Sequence, residues 1–243
     1  MRKTKIVCTI GPASDSREVI RGLCLAGMNV ARLNFSHGSH EEHKKRIDMI
    51  KAVRERLGMP IGILLDTKGP EYRIKTFNCE KIFLNDGDDF TFTTEDIIGD
   101  ETKVAVSYPN LPNELSIGDT ILLNNGLLTF EVINIDGTNI NCTVVIGGEL
   151  SDRKSMSFPG KVMKQKYLSE QDKKDIAFGV QNDVDYIACS FVSKKQDLID
   201  VHNYLKELNA DDIELIAKIE NQSGFDNIEE KLDDIMQLNV LSS

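Results

Sequence analysis

The stretch Pro60-Ile61-Gly62-Ile63-Leu64-Leu65-Asp66-Thr67-Lys68-Gly69-Pro70-Glu71-Tyr72-Arg73 divides the chain into two textures. Its first half is a short, nearly all-apolar run, the pattern of a strand buried on both faces of a parallel sheet. It ends in Asp66, and Gly69-Pro70 then marks a sharp change of direction. Before it, short apolar runs alternate with helical patterns. Lys5–Ile10 reads as a strand. Ser16 caps a helix running toward Ala26, with Gly27 placed to stop it, and Asn29–Ser36 reads as a second strand. Ser39 with Glu42 three residues on is a capping-box signal for a helix striped by Ile47, Ile50, Val53 and Leu57 and stopped by Gly58. Strand, helix, strand, helix, strand predicts a parallel α/β sheet.

After Pro70 the composition turns to Thr, Val, Ile and Phe. Asp88–Thr94, Thr102–Tyr108, Thr120–Leu123, Leu127–Ile135 and Thr138–Ile146 read as strands. The turn dipeptides Asp86-Gly87, Asn125-Gly126 and Asp136-Gly137 lie between them. From Leu168 the first texture resumes. Ser169 with Asp172 opens a helix that Gly179 is expected to end, and Asp185–Val192 is a strand. Leu198, Val201, Leu205 and Leu208 lie at helical spacing, Glu214–Glu220 is a strand, and Asn227 to about Met236 is a last helix. The predicted organisation is therefore residues 1–70 and 164–243 as two parts of a (β/α) domain, with residues 71–163 as an inserted all-β domain. Five parallel strands fall short of the usual eight of a closed barrel, so the expected class is α/β: an incomplete (β/α) TIM-type barrel carrying an inserted all-β lid.

Composition narrows the function classes. The 243 residues carry 29 Lys and Arg against 39 Asp and Glu, a formal charge of −10. That balance argues against nucleic acid as a partner and requires any anion site to be local. No apolar run approaches the roughly 18 residues of a membrane span, so no membrane role is expected and the cytoplasm is the expected compartment. Five scattered cysteines, Cys8, Cys24, Cys79, Cys142 and Cys189, without CxxC spacing, read as buried reduced thiols.

Three strand ends could carry chemistry. In A-R-L-N-F-S-H-G-S from Ala31, Arg32, Asn34 and Ser36 alternate and share one face. They either reach solvent at an open rim or line a site at the carboxyl ends of the strands, where α/β barrels keep their chemistry. Asp66, Thr67 and Lys68 leave the third strand, with Arg73 just beyond. In I-A-K-I-E-N from Ile216, Lys218 and Glu220 share a face of an otherwise apolar strand. They read either as a plain ion pair or as a lysine and carboxylate beside a divalent cation such as Mg²⁺.

Taken in order, A-R-L-N-F-S-H-G, L-L-D-T-K-G-P-E-x-R and I-A-K-I-E-N closely resemble pyruvate kinase. So do the opening T-K-I-V-C-T-I-G-P-A-S, then L-S-E-Q-D-K-K-D-I and D-V-D-Y-I-A-C-S-F-V, and the resemblance reaches about Asp234. It implies phosphoryl transfer from phosphoenolpyruvate to ADP, giving pyruvate and ATP, with Mg²⁺ and K⁺ as cofactors. It implies that Arg32 grips the transferring phosphoryl group and that Lys218 stabilises the charge developing there. Asn34, Ser36, Asp66 and Thr67 are implied as K⁺ ligands, Glu220 as a Mg²⁺ ligand, and Arg73 and Lys154 as nucleotide-phosphate contacts. Glu71 stands where K⁺-dependent members of the family carry Glu. Full-length members are homo-oligomers.

The sequence also departs from the family. The G-D-L-G motif, whose Asp is the second Mg²⁺ carboxylate, is absent, as are a later threonine assigned to protonation and the C-terminal domain. Asn124 and Asn125 replace two carboxylates, Ser155 replaces a Gly, and the returning hinge is Met163-Lys164-Gln165-Lys166. The expected reading is a truncated pyruvate kinase; the alternative is a non-catalytic paralogue that binds a phosphorylated metabolite or a full-length subunit. Each 1.36 kcal/mol of lost transition-state stabilisation costs tenfold in rate. The isolated chain is therefore expected to show negligible turnover in a coupled pyruvate kinase assay, and turnover near that of a full-length relative would overturn this.

Overall fold

A computed structural model describes residues 3–161, 163–228 and 241–242. The chain divides into two compact units, Met1–Pro70 with Lys166–Ser243, and Glu71–Gln165. The first unit begins with β1 (Val7–Thr9), α1 (Arg17–Ala26), β2 (Val30–Asn34), α2 (His40–Leu57) and β3 (Gly62–Asp66). Local chemistry sets these ends. The Ser16 hydroxyl accepts from the Val19 N–H, and Gly27 closes α1 in the left-handed region at φ 106°. Ser39 and Glu42 form a reciprocal capping box, and Gly58, also left-handed, closes α2. Each cap satisfies backbone groups that the helix itself leaves unpaired.

The second unit follows with β4 (Tyr72–Arg73), β5 (Lys81–Leu84), β6 (Asp89–Thr93), β7 (Lys103–Ala105), β8 (Thr120–Leu123), β9 (Leu128–Asp136), β10 (Asn139–Ile146), β11 (Gly148–Ser151) and β12 (Ser155–Ser157). These form a seven-stranded sheet in the order β4-β12-β8-β9-β10-β6-β7 and a two-stranded sheet, β11-β5. Its core holds Phe90, Phe92 and Phe130, all buried, with ring centroids 5.1 to 5.8 Å apart. The turn from β8 to β9 places Asn124, Asn125 and Gly126 in succession at φ 51°, 59° and 85°. Asparagine is among the few residues enriched in that region, so the two substitutions suit the backbone they occupy. In the hinge stretch, the Lys164 N–H donates to Glu114 Oε2 at 2.7 Å.

The first unit resumes with α3 (Glu170–Gln181), β13 (Tyr186–Cys189), α4 (Lys195–Glu207), β14 (Glu214–Ala217), α5 (Gln222–Asp226) and β15 (Leu241–Ser242). Its sheet is wholly parallel and runs β1-β2-β3-β13-β14-β15. Strand order follows chain order with no reversal, the winding of a (β/α) barrel and not of a doubly wound sheet. β15 is a sixth strand, where the sequence suggested five. Its Leu241 is in register with Ile216. The helix expected over Asn227 to Met236 lies largely outside the described residues; Asn227 itself caps the short α5.

Two further expectations need correction. Gly179 does not end α3, which runs to Gln181 and is closed by Asn182. A Cβ at Gly179 would lie 2.7 Å from Leu65 Cδ1 and 3.3 Å from Val184 Cγ2, so this glycine lets α3 approach the buried strand β3. The cysteines are all reduced, yet Cys79 is exposed and Cys8 half-buried; only Cys24, Cys142 and Cys189 are buried. Among the described residues, no helix is long and apolar enough to cross a membrane. Gly179→Val, which adds an isopropyl group against Leu65 and Val184 with little change in helix propensity, should destabilise the chain by about 1–3 kcal/mol through overpacking. Urea denaturation measures it, and an unchanged midpoint would contradict the close approach.

Candidate active site at the strand ends

The parallel register brings the carboxyl ends of the strands into one row. Thr9 is level with Arg32, Asn34 with Asp66, and Asp66 with Ala188. On β2, Ala31 and Leu33 are fully buried while Arg32 and Asn34 face the other way, half-buried. The alternation places the guanidinium and the amide together. Ser36 lies past the end of β2, in the following turn, and donates its N–H to Asn34 Oδ1 at 3.0 Å.

Asp66 is the centre of the cluster. Its side chain is 2% exposed and pairs with both Arg32 and Lys218. Arg32 Nε donates to Oδ2 at 2.7 Å, and Nη2 contacts the same oxygen. Lys218 Nζ donates to Oδ1 at 3.0 Å. Arg32 Nη1 reaches Thr9 Oγ1 at 2.7 Å on the neighbouring strand. A guanidinium has five N–H donors, so these three contacts leave two without a partner among the described residues. Its side chain is 31% exposed, enough for an anion to reach them.

Lys218 and Glu220 lie beyond β14, which ends at Ala217 instead of continuing to Glu220. They still meet, with Nζ to Oε1 at 3.2 Å. Glu220 Oε2 accepts the Phe191 N–H at 3.1 Å. Thr67 is buried; its N–H donates to the Ala188 carbonyl at 3.0 Å, and its own carbonyl accepts from Ser190 Oγ at 2.7 Å. Beneath the cluster, Tyr167 donates its hydroxyl to the Ser190 carbonyl at 2.7 Å. Burial holds the Tyr167 hydroxyl well above the usual tyrosine range and pushes the Cys189 thiol up to about 12, so both stay neutral under this charged layer.

Arg73, Glu71 and Lys154 belong to the second unit. Arg73 pairs with Glu71 and donates Nη1 to the Arg153 carbonyl at 2.6 Å. Lys154 immediately precedes β12, and its carbonyl accepts the Ile74 N–H at 3.0 Å. Arg73 and Lys154 thus share the β4–β12 ladder, where Arg73 is in register with Ser155. Among the described residues, no three His, Cys, Asp or Glu side chains converge as a ready-made metal site.

The sequence reading missed Thr9, Ser190 and Phe191. The signal available for Ser190 was its place near the carboxyl end of the run read as a strand over Asp185–Val192, where barrel chemistry gathers; the strand itself stops at Cys189. Removing the central carboxylate should be costly. Asp66→Ala should lose about 3 kcal/mol in denaturant unfolding, near the lower end for stranding a buried charge because Arg32 and Lys218 retain water access. Lys44→Ala, at the exposed Lys44–Asp48 pair, should change stability by less than about 0.5 kcal/mol. Equal effects at the two positions would contradict the central place of Asp66.

Comparison with known proteins places the chain in a family. The profile described as pyruvate kinase, barrel domain, matches residues 1–240, beyond the point near Asp234 to which the quoted motifs reach. The chain is similar to pyruvate kinase from Staphylococcus haemolyticus, 48% identical over 235 residues, which is 96% of this chain and 40% of that protein. Pyruvate kinases from Staphylococcus epidermidis and Staphylococcus aureus match over the same shares at 48% and 47% identity. The chain spans about 40% of the length of these curated relatives. It belongs to the pyruvate kinase family, within that family's barrel domain.

Proposed function

We propose that this chain carries the phosphoenolpyruvate side of a pyruvate kinase reaction, in which the phosphoryl group of phosphoenolpyruvate passes to ADP to give pyruvate and ATP in the cytoplasm. The observation that carries the reading is the Arg32–Asp66–Lys218 cluster at the carboxyl ends of the parallel strands. Phosphoryl transfer is mainly positioning plus neutralisation of charge spread over the phosphoryl oxygens. Arg32 offers its two remaining N–H donors to those oxygens, while Asp66 and Thr9 fix the guanidinium plane. Lys218 supplies the second cation, next to the enolate oxygen left when the phosphorus–oxygen bond breaks. Arg73 and Lys154 are read as contacts to the nucleotide phosphates, and the all-β unit as a lid that keeps water from taking the phosphoryl group.

The donor chemistry suits both cations. Asn34, Ser36, Asp66 and Thr67 bring amide, hydroxyl, carboxylate and carbonyl oxygens to the ends of two adjacent strands in register, a set appropriate to K⁺, and Glu71 accords with K⁺ dependence. Glu220 offers one carboxylate, which suits Mg²⁺ held largely by substrate phosphates. When bound, these ions supply positive charge to the phosphoryl oxygens. Within the protein, Arg32 and Lys218 are already balanced by Asp66 and Glu220.

Isothermal titration calorimetry with Mg²⁺ and K⁺ present tests the reading. Phosphoenolpyruvate should give saturable heat at or below millimolar concentration, and Arg32→Ala should weaken binding by about tenfold or more, some 1.4 kcal/mol. No heat at millimolar phosphoenolpyruvate would overturn the proposal. Heat without turnover would establish binding alone, an outcome that the truncated kinase and the non-catalytic paralogue share.

A further inference from the structure

Where the chain leaves β13, Ser190 is 3% exposed and every polar atom of the residue is engaged. Its N–H donates to Thr67 Oγ1 at 3.2 Å, its carbonyl accepts from Tyr167, and its hydroxyl lies 2.7 Å from the Thr67 carbonyl, 2.8 Å from Lys218 Nζ and 3.2 Å from Asp66 Oδ1. A hydroxyl has one proton and two lone pairs, and an ammonium can only donate. The Ser190 proton therefore goes to the Thr67 carbonyl, the nearest acceptor, and a lone pair is turned to Lys218. The ammonium donates to Ser190 Oγ and to Asp66 Oδ1 at 3.0 Å, and it is in ion-pair contact with Glu220 Oε1 at 3.2 Å. The serine leg is the shortest and the only neutral one, so it holds the ammonium in place without cancelling its charge.

The backbone is shaped to this end. Phe191 stands at φ 56°, a left-handed conformation unfavourable for an aromatic residue and of the kind retained where the surroundings enforce it. That turn aims the Phe191 N–H at Glu220 Oε2, so the adjacent residues Ser190 and Phe191 contact Lys218 and its ion-pair partner Glu220. Opposite, a Cβ at Gly69 would come within 2.5 Å of the Ser190 carbonyl oxygen, and only glycine leaves room for the turn.

We infer that Ser190 is a positioning residue that fixes the Lys218 ammonium for the phosphoryl group. The inference rests on the role proposed above for Lys218. Two measurements on the chain test it. In competitive amine acylation read by mass spectrometry, Ser190→Ala should raise labelling at Lys218, relative to the other lysines, by about threefold, as loss of one hydrogen bond allows. By calorimetry, the same change should weaken phosphoenolpyruvate binding by about tenfold, yet by less than about twofold when Lys218 is already Met. Ser190→Cys, which nearly keeps the volume and weakens the hydrogen bond, should shift both readouts the same way and serves if the alanine variant does not fold. Unchanged relative labelling, or equal losses with and without Lys218, would show a merely structural serine and overturn the inference. If the unmodified chain binds no phosphoenolpyruvate, the functional reading falls and the labelling alone decides the place of Ser190.

Discussion

Asp66 leaves β3 with its carboxylate almost wholly out of water, between the Arg32 guanidinium and the Lys218 ammonium. A buried carboxylate needs partners for its charge, and here each oxygen has a cation: Arg32 on Oδ2 and Lys218 on Oδ1. The pairing in turn constrains three strands. β2 must be in register so that Arg32 reaches across, β13 must end where Ser190 can follow, and the segment after β14 must return Lys218 to the same point. Gly69 and Gly179 serve this arrangement from outside the charges. One admits the Ser190 turn, and the other brings α3 against Leu65 on the buried strand.

The same interaction links packing to chemistry. Aliphatic residues beneath the strand ends hold the sheet, and the Arg32, Asp66 and Lys218 side chains meet toward its carboxyl rim. Arg32 and Lys218 are each paired but not used up: among the described residues the guanidinium keeps two donors, and the ammonium keeps a long contact to the partly exposed Glu220. A site built this way is preorganised. In the phosphoryl-transfer role proposed above, its cations would be oriented before an anion arrives, so little reorganisation would be needed as charge develops.

What the sequence made legible was local. Ser16, Ser39 and Ser169 each cap the helix expected of them, because a cap is decided within four residues. The alternation of Arg32 and Asn34 against Ala31 and Leu33 was equally readable. Strand lengths were less so: Glu214–Glu220 shortens to Glu214–Ala217, since apolar pattern does not say where a sheet lets go. The short strands β4, β5, β11 and β12 carried too little pattern to see. Gly179 was misread because a glycine that ends a helix and one that admits a neighbour look alike in one dimension. Ser190 escaped for the same reason, its partners lying 124 and 28 positions away. The roles of individual site residues came from resemblance to a family, not from spacing.

The Glu71–Gln165 unit stands in the chain between two strands, β3 and β13, that are neighbours in the sheet. Loop-closure entropy grows only with the logarithm of length, so doubling such an excursion adds about 0.6 kcal/mol. For equilibrium stability the interruption is therefore a small burden. Its consequence falls on time. Contacts between residues far apart in sequence form slowly, and the Asp66–Ser190–Lys218 junction joins segments on both sides of the insertion. Maturation of the site is thereby tied to completion of the longest-range contacts in the sheet.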